Sequence, residues 1–132
     1  MIVIDASALT CFIMMEHGYE KTAAYIKDAI SVDHVVKEVG NVIWKAYIKN
    51  YITEDDALKR FLNLIKLTKY VIKLINEIDL IEKAGEIAIK SKITLYDSLY
   101  IALALKEKAK LLTLDDTQAQ AAEEYGIEVI KV

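Results

Sequence analysis

Five acidic side chains stand where their type and spacing bear on chemistry. Asp5 follows the apolar run Ile2-Val3-Ile4, Asp115 and Asp116 follow Leu111-Leu112-Thr113-Leu114, Glu38 lies early in a helical segment, and Asp97 sits in residues 94–105, a stretch apolar almost throughout. At about 100° per residue, Leu95, Leu99, Ile101, Leu103 and Leu105 point in every direction, which is the pattern of a helix buried all round. An ionised carboxylate on such a helix is costly unless a donor or a cation meets it. Acids that converge repel one another until a cation holds them, and hard divalent ions prefer oxygen ligands. Mg2+ in particular binds a few carboxylates and keeps positions free for phosphate. The chemistry these residue types support is metal-assisted reaction at a phosphate.

Each acid also has an ordinary structural use. Asp5 and Asp115 suit N-caps of the helices that follow them, Thr94-x-x-Asp97 has capping-box spacing, and Glu38 is compatible with a plain helix surface. Other chemistries are poorly supplied. His17 and His34 are the only histidines and both lie in polar surroundings, so zinc has no ligand set; the four glycines are scattered and form no phosphate-cradling loop. Ser7 and Ser98 have no histidine base nearby. Cys11 is alone, which excludes an internal disulfide.

The segments that must position the acids alternate between short apolar runs and longer amphipathic ones. Residues 2–4 predict a buried strand, 6–14 a helix, and 19–30 a second helix after the break at Gly18, with 31–33 as a brief connection. Residues 34–51 predict a helix whose apolar stripe includes Val35, Val39, Ile43 and Ala46, with Glu38, Asn41 and Lys45 along one flank. Thr53 suits the N-cap of a helix reaching residue 68. A strand over 70–75 and a helix over 77–91 precede the buried helix. Residues 110–114 predict a strand, 117–125 a helix stopped by Gly126, and 127–132 a last strand. Strands separated by helices imply a mostly parallel sheet covered by helices on both faces, with the functional crevice beyond the strands' carboxyl ends. Asp5 and Asp115 fall at two such ends, and a right-handed crossover brings Asp97 to the same edge.

Length and composition bound the answer. A chain of 132 residues with 55% hydrophobic and 28% charged content suits a single domain over residues 1–132. No apolar run has the length of a bilayer span, and the first residues lack a basic leader, so the expected location is the cytoplasm, without membrane association. The net charge of −3 does not exclude an anionic substrate: with Asp5, Glu38, Asp97, Asp115 and Asp116 gathered at one site, the other fifteen acids are outnumbered by seventeen Lys and Arg. Lys59, Arg60, Lys66, Lys69 and Lys73 occupy a stretch without acids, which is either a solvated helix face or a phosphate-contacting surface.

Four segments taken together carry a family likeness. Ile2-Val3-Ile4-Asp5-Ala6-Ser7-Ala8-Leu9, Glu38-Val39-Gly40-Asn41-Val42-Ile43-Trp44, Leu95-Tyr96-Asp97-Ser98-Leu99-Tyr100-Ile101-Ala102-Leu103-Ala104 and Leu111-Leu112-Thr113-Leu114-Asp115 resemble, in order and spacing, the successive motifs of PIN domains, above all the VapC-like toxins of prokaryotic toxin–antitoxin pairs. The resemblance implies a three-layer α/β/α Rossmann-like fold and a metal-dependent endoribonuclease. It assigns Asp5, Glu38, Asp97 and Asp115 to catalysis, with Asp5, Asp97 and Asp115 holding Mg2+ or Mn2+ and Glu38 reaching the ion directly or through water. Ser7, Asn41 and Thr113 match supporting polar positions; of the doublet, the spacing from Thr113 favours Asp115 as the ligand over Asp116, which then supports it as a cap or as an acid just behind the ligands. Lys45 and Lys49 on the Glu38 helix are candidate phosphate contacts. The resemblance further implies an RNA substrate, a small antitoxin partner that covers the acidic cleft with a basic side chain, and a homodimer.

Rival readings fare less well. A haloacid-dehalogenase-like phosphatase needs a second Asp two residues after the first, and position 7 is Ser. A receiver domain needs paired acids near the first strand and a phosphoacceptor at a middle strand. A catalytically silent module of the same fold, binding RNA or a partner protein, is the alternative from another functional class; the presence of all four acids argues against it.

Overall fold

In the computed structural model, which describes residues 1–132, five strands form one sheet: β1 (Ile2–Ile4), β2 (Ala29–Val32), β3 (Lys73–Ile75), β4 (Lys110–Leu112) and β5 (Val129–Ile130). Every pairing is parallel, and the spatial order is β3-β2-β1-β4-β5. Val3 lies between Ile30 and Leu111 in the register. With neighbours on both edges and helices on both faces, β1 needs apolar side chains at successive positions, and Val3 and Ile4 are fully buried.

Seven helices cover the sheet: α1 (Ala6–Ile13), α2 (Tyr19–Ile26), α3 (Val35–Ile48), α4 (Glu54–Tyr70), α5 (Ile81–Ser91), α6 (Leu95–Glu107) and α7 (Asp116–Glu124). Helices α1 to α4 pack among themselves, whereas α6 lies against β1, β2 and β4 with α5 and α7 beside it. The expected three-layer α/β/α fold is therefore present, with an all-parallel sheet. Residues 98–104 of α6 are buried without interruption, as its apolar composition predicts. The expected caps form as well: Thr53 accepts from the Asp56 amide at 3.1 Å and Thr94 from the Asp97 amide at 3.2 Å. At the end of α7, Gly126 adopts φ 77°, a left-handed conformation that glycine takes without steric cost.

The second strand corrects the sequence expectation. Residues 29–32, where the pattern predicts the end of a helix and a connection, form β2, and the preceding helix stops at Ile26. Ala29, Ile30, Ser31 and Val32 are all buried, so no alternation marks the strand. Its serine is accommodated because Ser31 Oγ donates to the Ile4 carbonyl at 2.6 Å. Helix α4 also runs on to Tyr70, which shortens the expected strand over 70–75 to Lys73–Ile75.

Candidate metal and phosphate site

Chain crossovers leave β1 and β4 in opposite directions, so their adjacent carboxyl ends form the topological switch point of the sheet. Asp5 sits there as the N-cap of α1 and is 1% exposed. Its Oδ1 accepts from the Ala8 amide at 2.9 Å and from Ser7 Oγ at 2.7 Å, and its Oδ2 accepts from Thr113 Oγ1. Ser7 Oγ in turn accepts from the Leu114 amide at 2.9 Å, and Thr113 Oγ1 from the Asp115 amide at 3.0 Å. The ends of β1 and β4 are thus stitched together around one carboxylate. Burial outweighs these donors and pushes the Asp5 carboxyl up to about 6, with the nearby Asp97 charge adding to the rise.

Asp97 occupies the first turn of α6 and is half-buried. Burial raises its pKa, and the charges of Asp115 and Glu38 raise it further. Asp115 caps α7, with its Oδ1 accepting from the Gln118 amide at 3.0 Å. The buried Gln118 side chain then donates from Nε2 to the Asp97 carbonyl at 2.9 Å. One glutamine therefore clips the start of α7, with Asp115, to the start of α6, with Asp97. Asp116 is the exposed first residue of α7, and Asp115 is the member of the doublet whose charge is felt by Asp97.

Glu38 reaches the group from α3. Tyr100, three residues beyond Asp97 on α6, donates its hydroxyl to Glu38 Oε1 at 2.6 Å, and His34 Nε2 lies 3.4 Å from the same oxygen. Tyr100 is buried beside Glu38, Asp5 and Asp97, and burial followed by the Glu38 charge drives its phenol pKa far upward, so it remains a donor. The His34 imidazole is stacked on Tyr96, with centroids 4.6 Å apart. A shallow hollow of about 370 Å³, lined in part by Ser7, Glu38 and Leu114, opens beside these groups.

Some expected participants stand apart. Asn41 is exposed one turn beyond Glu38, which is held instead by Tyr100; Lys45 is exposed farther along α3, and Lys49 is exposed as its C-cap. Of the basic stretch, Arg60 donates to the Ile13 carbonyl at 2.7 Å and so serves the fold, while Lys59 makes an exposed pair with Asp55 at 3.1 Å. Tyr100, His34 and Gln118 are the contributors that the sequence did not single out. Gln118 alone had a local signal, three residues after a cap.

No three His, Cys, Asp or Glu side chains stand in a ready-made chelating arrangement. Both Asp5 oxygens, one Asp115 oxygen and one Glu38 oxygen accept from protein donors. The donor set is nonetheless all carboxylate oxygen, and burial and mutual repulsion raise the pKa of Asp5 and Asp97. Both features fit a hard divalent cation, which would relieve the repulsion; they do not fit zinc, which favours nitrogen and sulfur.

An acidic cluster at the switch point of a three-layer parallel α/β sheet defines the class. The chain belongs to the PIN domain family, whose pattern matches residues 2–124. It is 32% identical over 122 residues to Ribonuclease VapC3 of Pyrobaculum aerophilum, covering 90% of this chain and 92% of that protein. Among solved structures it resembles PAE2754 of Pyrobaculum aerophilum, with TM-score 0.72 at 20% identity over 91% of this chain and 78% of that one. It also resembles Mycobacterium tuberculosis VapC20, described as a sarcin-ricin loop cleaving toxin, with TM-score 0.72 at 15% identity over the full length of both chains. FitAcB of Neisseria gonorrhoeae gives TM-score 0.66 at 15% identity over 99% and 97%. The structural likenesses are likenesses of fold.

Proposed function

We propose that this chain is a divalent-metal-dependent endoribonuclease of the VapC type, the toxin of a toxin–antitoxin pair. The observation that carries the reading is the convergence of Glu38 from α3 and Asp115 from the start of α7 on Asp97 at the mouth of β1, beside buried Asp5. The 32% identity to a ribonuclease along nearly the whole chain supports the same activity.

In this reading Asp5, Asp97 and Asp115 hold Mg2+ or Mn2+, and Glu38 joins them directly or through water. The bound ion would activate water for attack on phosphorus and neutralise charge growing on the phosphate. Ser7 and Thr113 orient Asp5, Tyr100 orients Glu38, and Gln118 fixes the spacing of Asp97 and Asp115. One of the carboxylates takes the proton released during attack. Lys45 and Lys49 contact flanking phosphates.

The concentrated negative site suits an antitoxin that inserts a basic side chain. Trp44, Tyr47, Ile48 and Tyr51 are all at least 40% exposed near the end of α3, and they supply apolar surface for a second copy or for the antitoxin. No helix is long and apolar enough to cross a membrane, and the cytoplasm is where the proposed substrate lies. The test is Asp97→Asn: Mn2+-dependent cleavage of RNA should disappear while the circular dichroism spectrum is kept. Undiminished cleavage in that variant defeats the assignment, and RNA that is bound but never cut by the unaltered protein favours the silent binding module.

A further inference from the structure

Tyr96 is an exposed aromatic side chain built onto the rim of the acidic site. It immediately precedes Asp97 in the first turn of α6 and is 56% exposed, although large apolar rings gain most from burial. One side of its ring is covered by the His34 imidazole, with centroids 4.6 Å apart and planes inclined by 19°. The same imidazole places Nε2 3.4 Å from Glu38 Oε1, and its side chain is only 12% exposed. A continuous run of tyrosine ring, imidazole, carboxylate and Tyr100 hydroxyl therefore leads from solvent into the acid cluster.

That arrangement fixes the Tyr96 ring from behind and leaves its remaining surface open. An ordered, one-sided aromatic surface gains most from a flat partner, and unpaired nucleobases stack on such platforms whatever their identity because every base has a π face. The acids one imidazole away would act on phosphate, and base and phosphate are joined within one nucleotide. A protein partner's apolar side chain would also cover a tyrosine, but it does not account for the imidazole packed between the ring and Glu38.

We propose that the open face of Tyr96, backed by His34, is a stacking subsite for one unpaired base adjacent to the scissile phosphate. The proposal rests on the ribonuclease reading and adds to it a requirement for an unstacked nucleotide beside the cut, with little preference for base identity.

The test uses the full chain with Mn2+, a single-stranded RNA oligonucleotide cut at one site, and the same RNA carrying an abasic residue at each position flanking the cut. For the unaltered protein, one abasic position should raise KM on the order of tenfold to a hundredfold with little change in kcat, the effect of losing one base–aromatic stack. Tyr96→Leu should raise KM on the intact RNA by the same factor, and the critical abasic position should then cost it nothing more. Tyr96→Trp should restore the low KM, and Mn2+ affinity should be unchanged in both variants. Unchanged KM in Tyr96→Leu overturns the subsite, also where binding of a protein partner is lost instead, and so does a loss that adds to that of every abasic position. Absence of any cleavage by the unaltered protein overturns the ribonuclease reading itself, which separates the two failures.

Discussion

Asp5 is the most deeply buried acid at the site, and its environment sets stability against function. In the metal-free fold its carboxyl titrates at about 6, against 3.8 for the ordinary carboxyl. The folded state therefore holds the proton more tightly than the unfolded chain. Stability is fully present below the lower value and is lost as pH rises through the higher one, by roughly 3 kcal/mol. Asp5→Asn removes the charge, so urea unfolding at neutral pH without divalent ions should show the variant more stable by roughly 1 to 3 kcal/mol, an advantage that vanishes near pH 4. A variant less stable at neutral pH would mean that the Ser7, Ala8 and Thr113 donors outweigh burial. Tyr100→Phe removes a single hydroxyl from a buried site. Glu38 keeps access to water, with 26% of its side chain exposed, so stability should fall by only about 1.5 kcal/mol. RNA cleavage should fall severalfold as Glu38 loses its fixed position, and an unchanged kcat would show that the hydroxyl only fills space. The caps at Asp5, Asp115 and Thr94 were legible because capping chemistry is local in sequence. Tyr100 was not, because its partner lies 62 residues away and the ring reads as one more core residue of α6.

Gln118 shows how the site depends on the fit between elements. Its side chain joins α7 to α6 at the two turns that carry Asp115 and Asp97. Gln118→Leu keeps the volume and leaves the Asp97 carbonyl without that donor, which should cost about 1 to 3 kcal/mol in urea unfolding. It should also weaken Mn2+ binding, and unaltered Mn2+ affinity would confine the glutamine to a structural role. The same dependence on partners explains which elements the sequence disclosed. Strand β1 and helix α6 were readable because a continuous apolar run and an all-round apolar helix each have one physical meaning in a packed sheet. Strand β2 was hidden, since its Ala and Ser are weak strand formers and only the Ile4 carbonyl of the neighbouring strand makes Ser31 acceptable there. The order of the strands, with β1 and β4 adjacent at the centre, follows from pairings that no local pattern encodes.

At the scale of the whole molecule, the fold carries four acids from distant parts of the chain to one edge of a parallel sheet, and the 30-residue core holds them there. Because the ion is expected to bind the native state and not the unfolded chain, Mn2+ should raise the thermal midpoint in a concentration-dependent way. Binding must also displace protons from carboxyls whose pKa values burial has raised. The most direct measurement is calorimetric titration of the metal-free protein with Mn2+ near pH 6, repeated in buffers of different ionisation enthalpy. Saturable binding with net proton release, smaller at pH 8 and lost in Asp97→Asn, is the expected result. No binding, or binding that Asp97→Asn leaves intact, would contradict a cation site built from these acids.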